Sequence, residues 1–184
     1  MHMATELKHW TLEEVHRLPD DGNRYELVDG ELFVTPPPSV GHEEVLAVLA
    51  PILSDYVREW HLGKVYHPRA VIRADGSELE PDLMIRPVAA RRSAEWSELP
   101  LPILVVEVSS GTTRRRDHLQ KREFYLRVGI PEYWIVDRRE RTIRVVRPGQ
   151  QDLTCKDSLI WHPAGAAQPL VLDVLHLFRD ALGV

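Results

Sequence analysis

The chain holds a single cysteine, Cys155, so no intramolecular disulfide can form. That fits a reducing cytoplasm and rules out a disulfide scaffold. Cys155 falls in a C-terminal stretch with strand character, where an inert thiol is the ordinary reading rather than a nucleophile. No apolar run approaches the length of a membrane span, and the N-terminus lacks the apolar core of a signal peptide. There is no excess of positive charge either. The net charge of -5 argues against coating nucleic acid by bulk electrostatics. It leaves room for an enzyme that gathers carboxylates round a metal and clusters its arginines locally, as at Arg114-Arg115-Arg116 and among Arg138, Arg139, Arg141, Arg144 and Arg147. Repeats, linkers and low-complexity segments are missing as well.

What remains is an ordinary globular composition, 43% hydrophobic and 28% charged over 184 residues. The length suits one domain over 1–184. Within it, residues 1–10 are expected to be tag or flexible, Met1-His2-Met3 reading as a cloning scar, and 150–184 to be a C-terminal extension. Thr11-Leu12-Glu13-Glu14 has the form of a capping box that opens a short helix before Pro19. Tyr25 to Val28, Asp29-Gly30, and Glu31 to Val34 make a hairpin. Ser39 is placed to cap a long amphipathic helix that Pro51 interrupts and Gly63 ends. Lys64 to Arg73 tends towards strand, Asp75-Gly76 is a turn, and Pro81 to Ile85 is a short strand. Residues 86–101 read as an exposed connection. A helix spans about 114–128 and is closed by Gly129. Strands follow at 131–136 and 142–146, then weaker strands near 152–161 and 170–173, and a short helix over 174–182. The sum is a mixed α/β domain, a central sheet flanked by helices, with an N-terminal helix and hairpin.

The most informative stretch is Pro102-Ile103-Leu104-Val105-Val106-Glu107-Val108. Its apolar, β-branched run predicts a central strand covered on both faces. One carboxylate, Glu107, sits inside it. A buried ionised glutamate is paired, protonated or bound to metal. Asp82 is the second acid set in an apolar strand. If the two strands are neighbours, Asp82 and Glu107 can share a divalent cation. Oxygen-only ligation points to Mg²⁺ or Mn²⁺. Asp117, Lys121 and Tyr125 form one helical stripe, from which Lys121 can reach Glu107. Two acids, a metal and an ammonium suit phosphodiester hydrolysis.

These segments, taken in order, resemble the Uma-type putative restriction endonuclease family of the PD-(D/E)XK nuclease superfamily. The matching pieces are Tyr25-Glu26-Leu27 with Gly30-Glu31-Leu32, His42, Glu80-Pro81-Asp82, and Val106-Glu107-Val108-Ser109. They continue with Asp117, Lys121, Tyr125, and the run Gly129 to Asp137. The likeness covers about residues 10–147. It implies a restriction-endonuclease-like core that cuts DNA with Mg²⁺ or Mn²⁺. It further implies Asp82, Glu107 and the Val108 carbonyl as metal ligands, and Lys121 as the catalytic lysine. Glu26, His42, Asp117 and Tyr125 are supporting candidates. Where the superfamily pattern places lysine, this chain has Ser109, and Lys121 on the following helix fits the migrated role.

Plainer readings stand beside these. Glu107 suits a structural ion pair, Asp82 a strand end, Asp117 and Lys121 an exposed i,i+4 pair, Tyr125 core packing and His42 a helix-start contact. At the level of function, the alternatives to a DNA endonuclease are a catalytically silent binding or regulatory module on the same fold, and a hydrolase of small phosphoesters. The strands near 131–136 and the hairpin near 25–34 offer surfaces for a homodimer.

Overall fold

A computed structural model describes residues 8–89, 95–109 and 115–183, with the side chains of 115–118 outside the description. Helix α1 (Leu12–His16) opens on the expected capping box between Thr11 and Glu14. Strands β1 (Arg24–Val28) and β2 (Glu31–Thr35) pair antiparallel about Asp29 and Gly30. Both turn residues take positive φ, 50° and 81°, which the twist of a two-residue hairpin demands. Helix α2 (Val40–Glu59) runs unbroken through Pro51, and Ser39 stands at its N-cap without a side-chain bond. The Ser39 carbonyl instead accepts from the His42 and Glu43 N–H groups.

The stretch after α2 divides differently from its sequence pattern. Strand β3 (Lys64–Tyr66) and strand β4 (Ile72–Ala74) belong to separate sheets, parted by Pro68. Gly63 does not cap α2. A Cβ there would lie 1.9 Å from the Arg86 carbonyl oxygen, so glycine permits close approach of two backbones. Strand β5 (Ser77–Leu79) returns from β4, and β6 (Leu83–Arg86) follows. A 3₁₀ turn covers Trp96–Glu98 in the connection to β7 (Leu104–Ser109). Helix α3 (Arg115–Arg127) ends at Gly129, with φ of 89° and the Ile130 N–H bonding back to the Tyr125 carbonyl. Strands β8 (Tyr133–Asp137), β9 (Thr142–Val146), β10 (Leu153–Cys155), β11 (Ser158–Trp161) and β12 (Leu170–Asp173) lead to helix α4 (Val174–Leu182).

Six strands form the central sheet in the order β10-β9-β8-β7-β6-β3. Its β7–β8 pair is parallel, which requires a crossover, and α3 lies in that connection. A second sheet, β2-β1-β5-β4, carries the N-terminal hairpin, and β11 pairs with β12. Side chains alternate across the central sheet and feed two apolar layers. Leu104, Val106 and Val108 join Trp134, Val136 and the inner faces of α2 and α4 on one side. Val105 joins Met84, Tyr133, Ile135 and the Phe124 and Tyr125 rings of α3 on the other. Glu107 and Ser109 share parity with Val105, so they face α3.

Residues past 150 contribute Leu159, Trp161, Leu172 and Phe178 to the first layer, with Trp161 edge-on to Trp134 at 5.9 Å. Tyr133 to Val136 are buried within the chain. In the hairpin, Val34 is half-exposed. Among the described residues no helix is long and apolar enough to cross a membrane.

Candidate active site

The acid in β7 is met from three directions. Strand β6 pairs antiparallel with β7, Leu83 opposite Val106. Continuing that register by one residue sets Asp82 opposite Glu107, at the C-terminal end of β7. The segment Glu80-Pro81-Asp82 joins the two large sheets, because it connects β5 to β6. Strand β1 supplies Arg24 and Glu26, two apart and therefore on one face. Helix α3 supplies Lys121 and Tyr125, one turn apart.

The contacts are short and enclosed. Lys121 Nζ donates to Glu26 Oε1 at 2.8 Å and to Glu107 Oε1 at 2.9 Å. The Tyr125 hydroxyl donates to the same Glu107 oxygen at 2.9 Å. Asp82 Oδ2 accepts from the Val108 N–H at 2.7 Å and lies 3.0 Å from His42 Nε2. Asp82 Oδ1 accepts from Arg24 Nη1 at 2.9 Å. Arg24 Nη1 also donates to the Glu80 carbonyl at 2.5 Å, and the Glu80 N–H to Glu26 Oε1 at 3.0 Å. Glu26, Asp82, Glu107 and Lys121 are all buried. The other Glu26 oxygen, Oε2, is buried and has no hydrogen-bond partner among the described residues.

Charge is unevenly satisfied. Among the described residues three buried carboxylates, Glu26, Asp82 and Glu107, face two permanent cations, Arg24 and Lys121, with His42 as a third cation when protonated. Burial pushes the Asp82 carboxyl up, but the His42 hydrogen bond, the Arg24 charge and the Val108 N–H hold it well below the usual carboxylate range. Glu107 moves the other way. Burial raises it, Asp82 and Glu26 add to the rise, and Lys121 opposes them. For Lys121, burial favours the neutral amine, yet Glu107 and Glu26 outweigh it and keep the ammonium charged. His42 is likewise lowered by burial and raised more by Asp82, ending above its ordinary value. Tyr125 is pushed far up by burial and by Glu107, so its hydroxyl stays a donor.

A cleft of about 660 Å³ opens onto the Asp82 side of this cluster, lined by Arg24, His42, Glu80 and Asp82 and walled by Pro37 and Arg69. Among the described residues no group of three or more His, Cys, Asp or Glu side chains is placed to hold a metal ion. A Mg²⁺ site does not need such a group, since that ion keeps several waters and takes one or two carboxylates plus substrate phosphate. The donors present are hard oxygens, and one of them, Glu26 Oε2, is buried and unsatisfied among the described residues. The residues fit an ion of that kind.

The structure thus brings together Asp82, Glu107, Lys121, Glu26, His42 and Tyr125. Val108 enters through its N–H. The Asp117 side chain, Arg114, and the side chains of Arg115 and Arg116 lie outside the described residues. Lys121 is buried between two acids, so the exposed-pair reading does not hold for it. In the second arginine cluster, Arg147 pairs with Glu132 at 2.7 Å, while Arg139, Arg141 and Arg144 are exposed. Sequence reasoning missed Arg24. Its signal was available: it stands two residues before Glu26 on the same strand face.

A mixed sheet with a parallel β7–β8 pair, a crossover helix and buried acids at the end of β7 defines a restriction-endonuclease-like fold. The chain belongs to the Uma2 family, described as "Putative restriction endonuclease", whose sequence profile matches residues 12–173. The crystal structure of a "putative nuclease belonging to DUF820" from Anabaena variabilis ATCC 29413 superposes with a TM-score of 0.79. That likeness covers 94% of this chain and 99% of the other at 20% identity, and so concerns the fold. No curated protein matches the chain.

Proposed function

We propose that the protein is a divalent-metal-dependent endonuclease that hydrolyses DNA phosphodiester bonds. The observation that carries this reading is the ammonium of Lys121, buried 2.9 Å from Glu107 and delivered from α3. It supplies the amine that Ser109 lacks at the superfamily position. Asp82 and Glu107 would hold Mg²⁺ or Mn²⁺, with the Val108 carbonyl as a further oxygen and Glu26 beside them. Bound there, the metal would lower the pKa of a water and polarise the phosphoryl oxygen. Glu107 suits this task because burial and its acidic neighbours disfavour its charge, which an added cation would relieve. His42 and the Val108 N–H orient Asp82. Tyr125 fixes one oxygen of Glu107. Lys121 would orient the attacking water or donate to the phosphate as charge builds.

DNA as substrate is supported by the family's description, and the cleft at Asp82 gives an approach. Plasmid cleavage in Mg²⁺ or Mn²⁺ tests the reading. Wild type should cut, while Asp82→Asn, Glu107→Gln and Lys121→Met should each lose about a hundredfold or more in rate and keep a cooperative melt. Cutting by Glu107→Gln at the wild-type rate would sink it.

One observation favours a second reading, a silent binding module on the same fold. Asp82 and Glu107 are already engaged by Arg24, His42 and Lys121. Calorimetric titration with Mn²⁺ separates the two, since a silent module need take up no ion that depends on Asp82.

A further inference from the structure

We propose that Arg24 is a phosphate-binding residue of the cleft, held on Asp82 until a divalent cation displaces it. The inference rests on the metal-dependent reading of this site and names the residue that would receive a polynucleotide backbone. Arg24 lines the cleft together with Asp82 and Glu80. Its side chain is 14% exposed, so it can meet a ligand without unfolding anything.

Both of its hydrogen bonds leave from Nη1, to Asp82 Oδ1 and to the Glu80 carbonyl. Nη2 and Nε donate to nothing among the described residues. Neither is a buried orphan. Together they form the edge of the guanidinium that grips a phosphate with two parallel bonds. Asp82 shows the complementary division. Its Oδ2 is committed to the Val108 N–H and His42, so Oδ1, the oxygen under Arg24, is the one open to exchange. A cation arriving at Oδ1 repels the guanidinium. The backbone of β1 cannot follow, because Arg24 is paired with Thr35 of β2. The side chain therefore turns into the cleft. Arg69 on the same wall, 64% exposed and 3.5 Å from Asp20, adds a second guanidinium to a cleft that otherwise carries Glu43, Glu80 and Asp82.

The test uses the full chain and two readouts besides cleavage. Mn²⁺ affinity is measured by calorimetry for wild type, Arg24→Gln, Arg24→Lys and Asp82→Asn. Binding of a labelled DNA duplex in Mn²⁺ is measured by fluorescence anisotropy, with Lys121→Met added throughout so that the duplex stays intact. Arg24→Gln should bind Mn²⁺ about fivefold tighter, having lost a competitor, and bind DNA about tenfold more weakly. Arg24→Lys should recover part of the DNA affinity. A merely structural arginine predicts the opposite pattern, with a lower melting temperature and metal and DNA binding falling together, and that result overturns the proposal. So does DNA affinity unchanged in Arg24→Gln. If wild type takes up no Mn²⁺, or Asp82→Asn takes it up equally, the metal-dependent reading fails and Arg24 with it. If wild type binds both ligands and Arg24→Gln matches it, Arg24 alone fails. Should Arg24→Gln not fold, Arg24→Lys decides. Weaker DNA binding with metal affinity intact or tighter supports the proposal, and unchanged DNA binding overturns it.

Discussion

Glu107, Asp82 and Lys121 illustrate how burial makes single side chains expensive to change. Removing Lys121 leaves two buried carboxylates with only neutral donors, the Tyr125 hydroxyl and the Glu80 N–H, so Lys121→Met should lose about 3 kcal/mol of stability near neutral pH in metal-free buffer. Without the ammonium, Glu107 is raised further. The penalty belongs to its charged form and should shrink as pH falls and the carboxyl protonates. Urea melts at neutral and acid pH check both the loss and its direction. The His42–Asp82 contact has its own window. His42 is raised above its ordinary 6.5, so its contribution is complete below that value and is lost as pH rises through the folded value. Asp82 is lowered from 3.8, so its contribution is complete above that value and is lost as pH falls through the folded value. The pair therefore stabilises fully between the two ordinary values. His42→Gln should cost about 1–2 kcal/mol there and clearly less at alkaline pH, measured by metal-free urea melts across the range.

The elements differ in how plainly the sequence announces them. β7 was legible because its apolar run is continuous and its neighbours punctuate it. The capping box of α1, the Asp29-Gly30 hairpin and the Gly129 terminus of α3 are local chemistry, fixed by residues within a few positions of one another. β3 and β4 were not legible as members of two sheets, since the choice is made by pairing with β6 and β5, far along the chain. Gly63 was misread for the same reason, its partner being the distant Arg86 backbone. That contact gives an element-level prediction. Gly63→Ala should cost about 3 kcal/mol or more, because β3 and β6 would have to move apart. β6 carries Asp82 at its entry, so a thermal melt and Mn²⁺ titration of this variant should fall together. Of the candidate cluster, Asp82, Glu107 and Lys121 are singled out by strand and helix periodicity together with the family likeness. Arg24 escaped because an arginine at a strand start looks solvated until its carboxylate is known.

At the scale of the molecule, the acids occupy the seam where the hairpin sheet meets the central sheet, and the C-terminal segment braces it from behind. α4 and β11–β12 cover the face of α2, the helix that presents His42. The tail from 150 is therefore part of the core rather than an appendage. A chain ending at residue 150 should lose its cooperative thermal transition by circular dichroism; a native-like melt would show that α2 needs no such cover. The proposed activity depends on one ion finding the acids of β6 and β7. The measurement that bears on it most directly is the anomalous scattering of crystals grown or soaked in Mn²⁺. It should give a peak within coordination distance of a carboxylate oxygen of both Asp82 and Glu107. Crystals saturated with Mn²⁺ that show no density there, or density held by other residues, would contradict it.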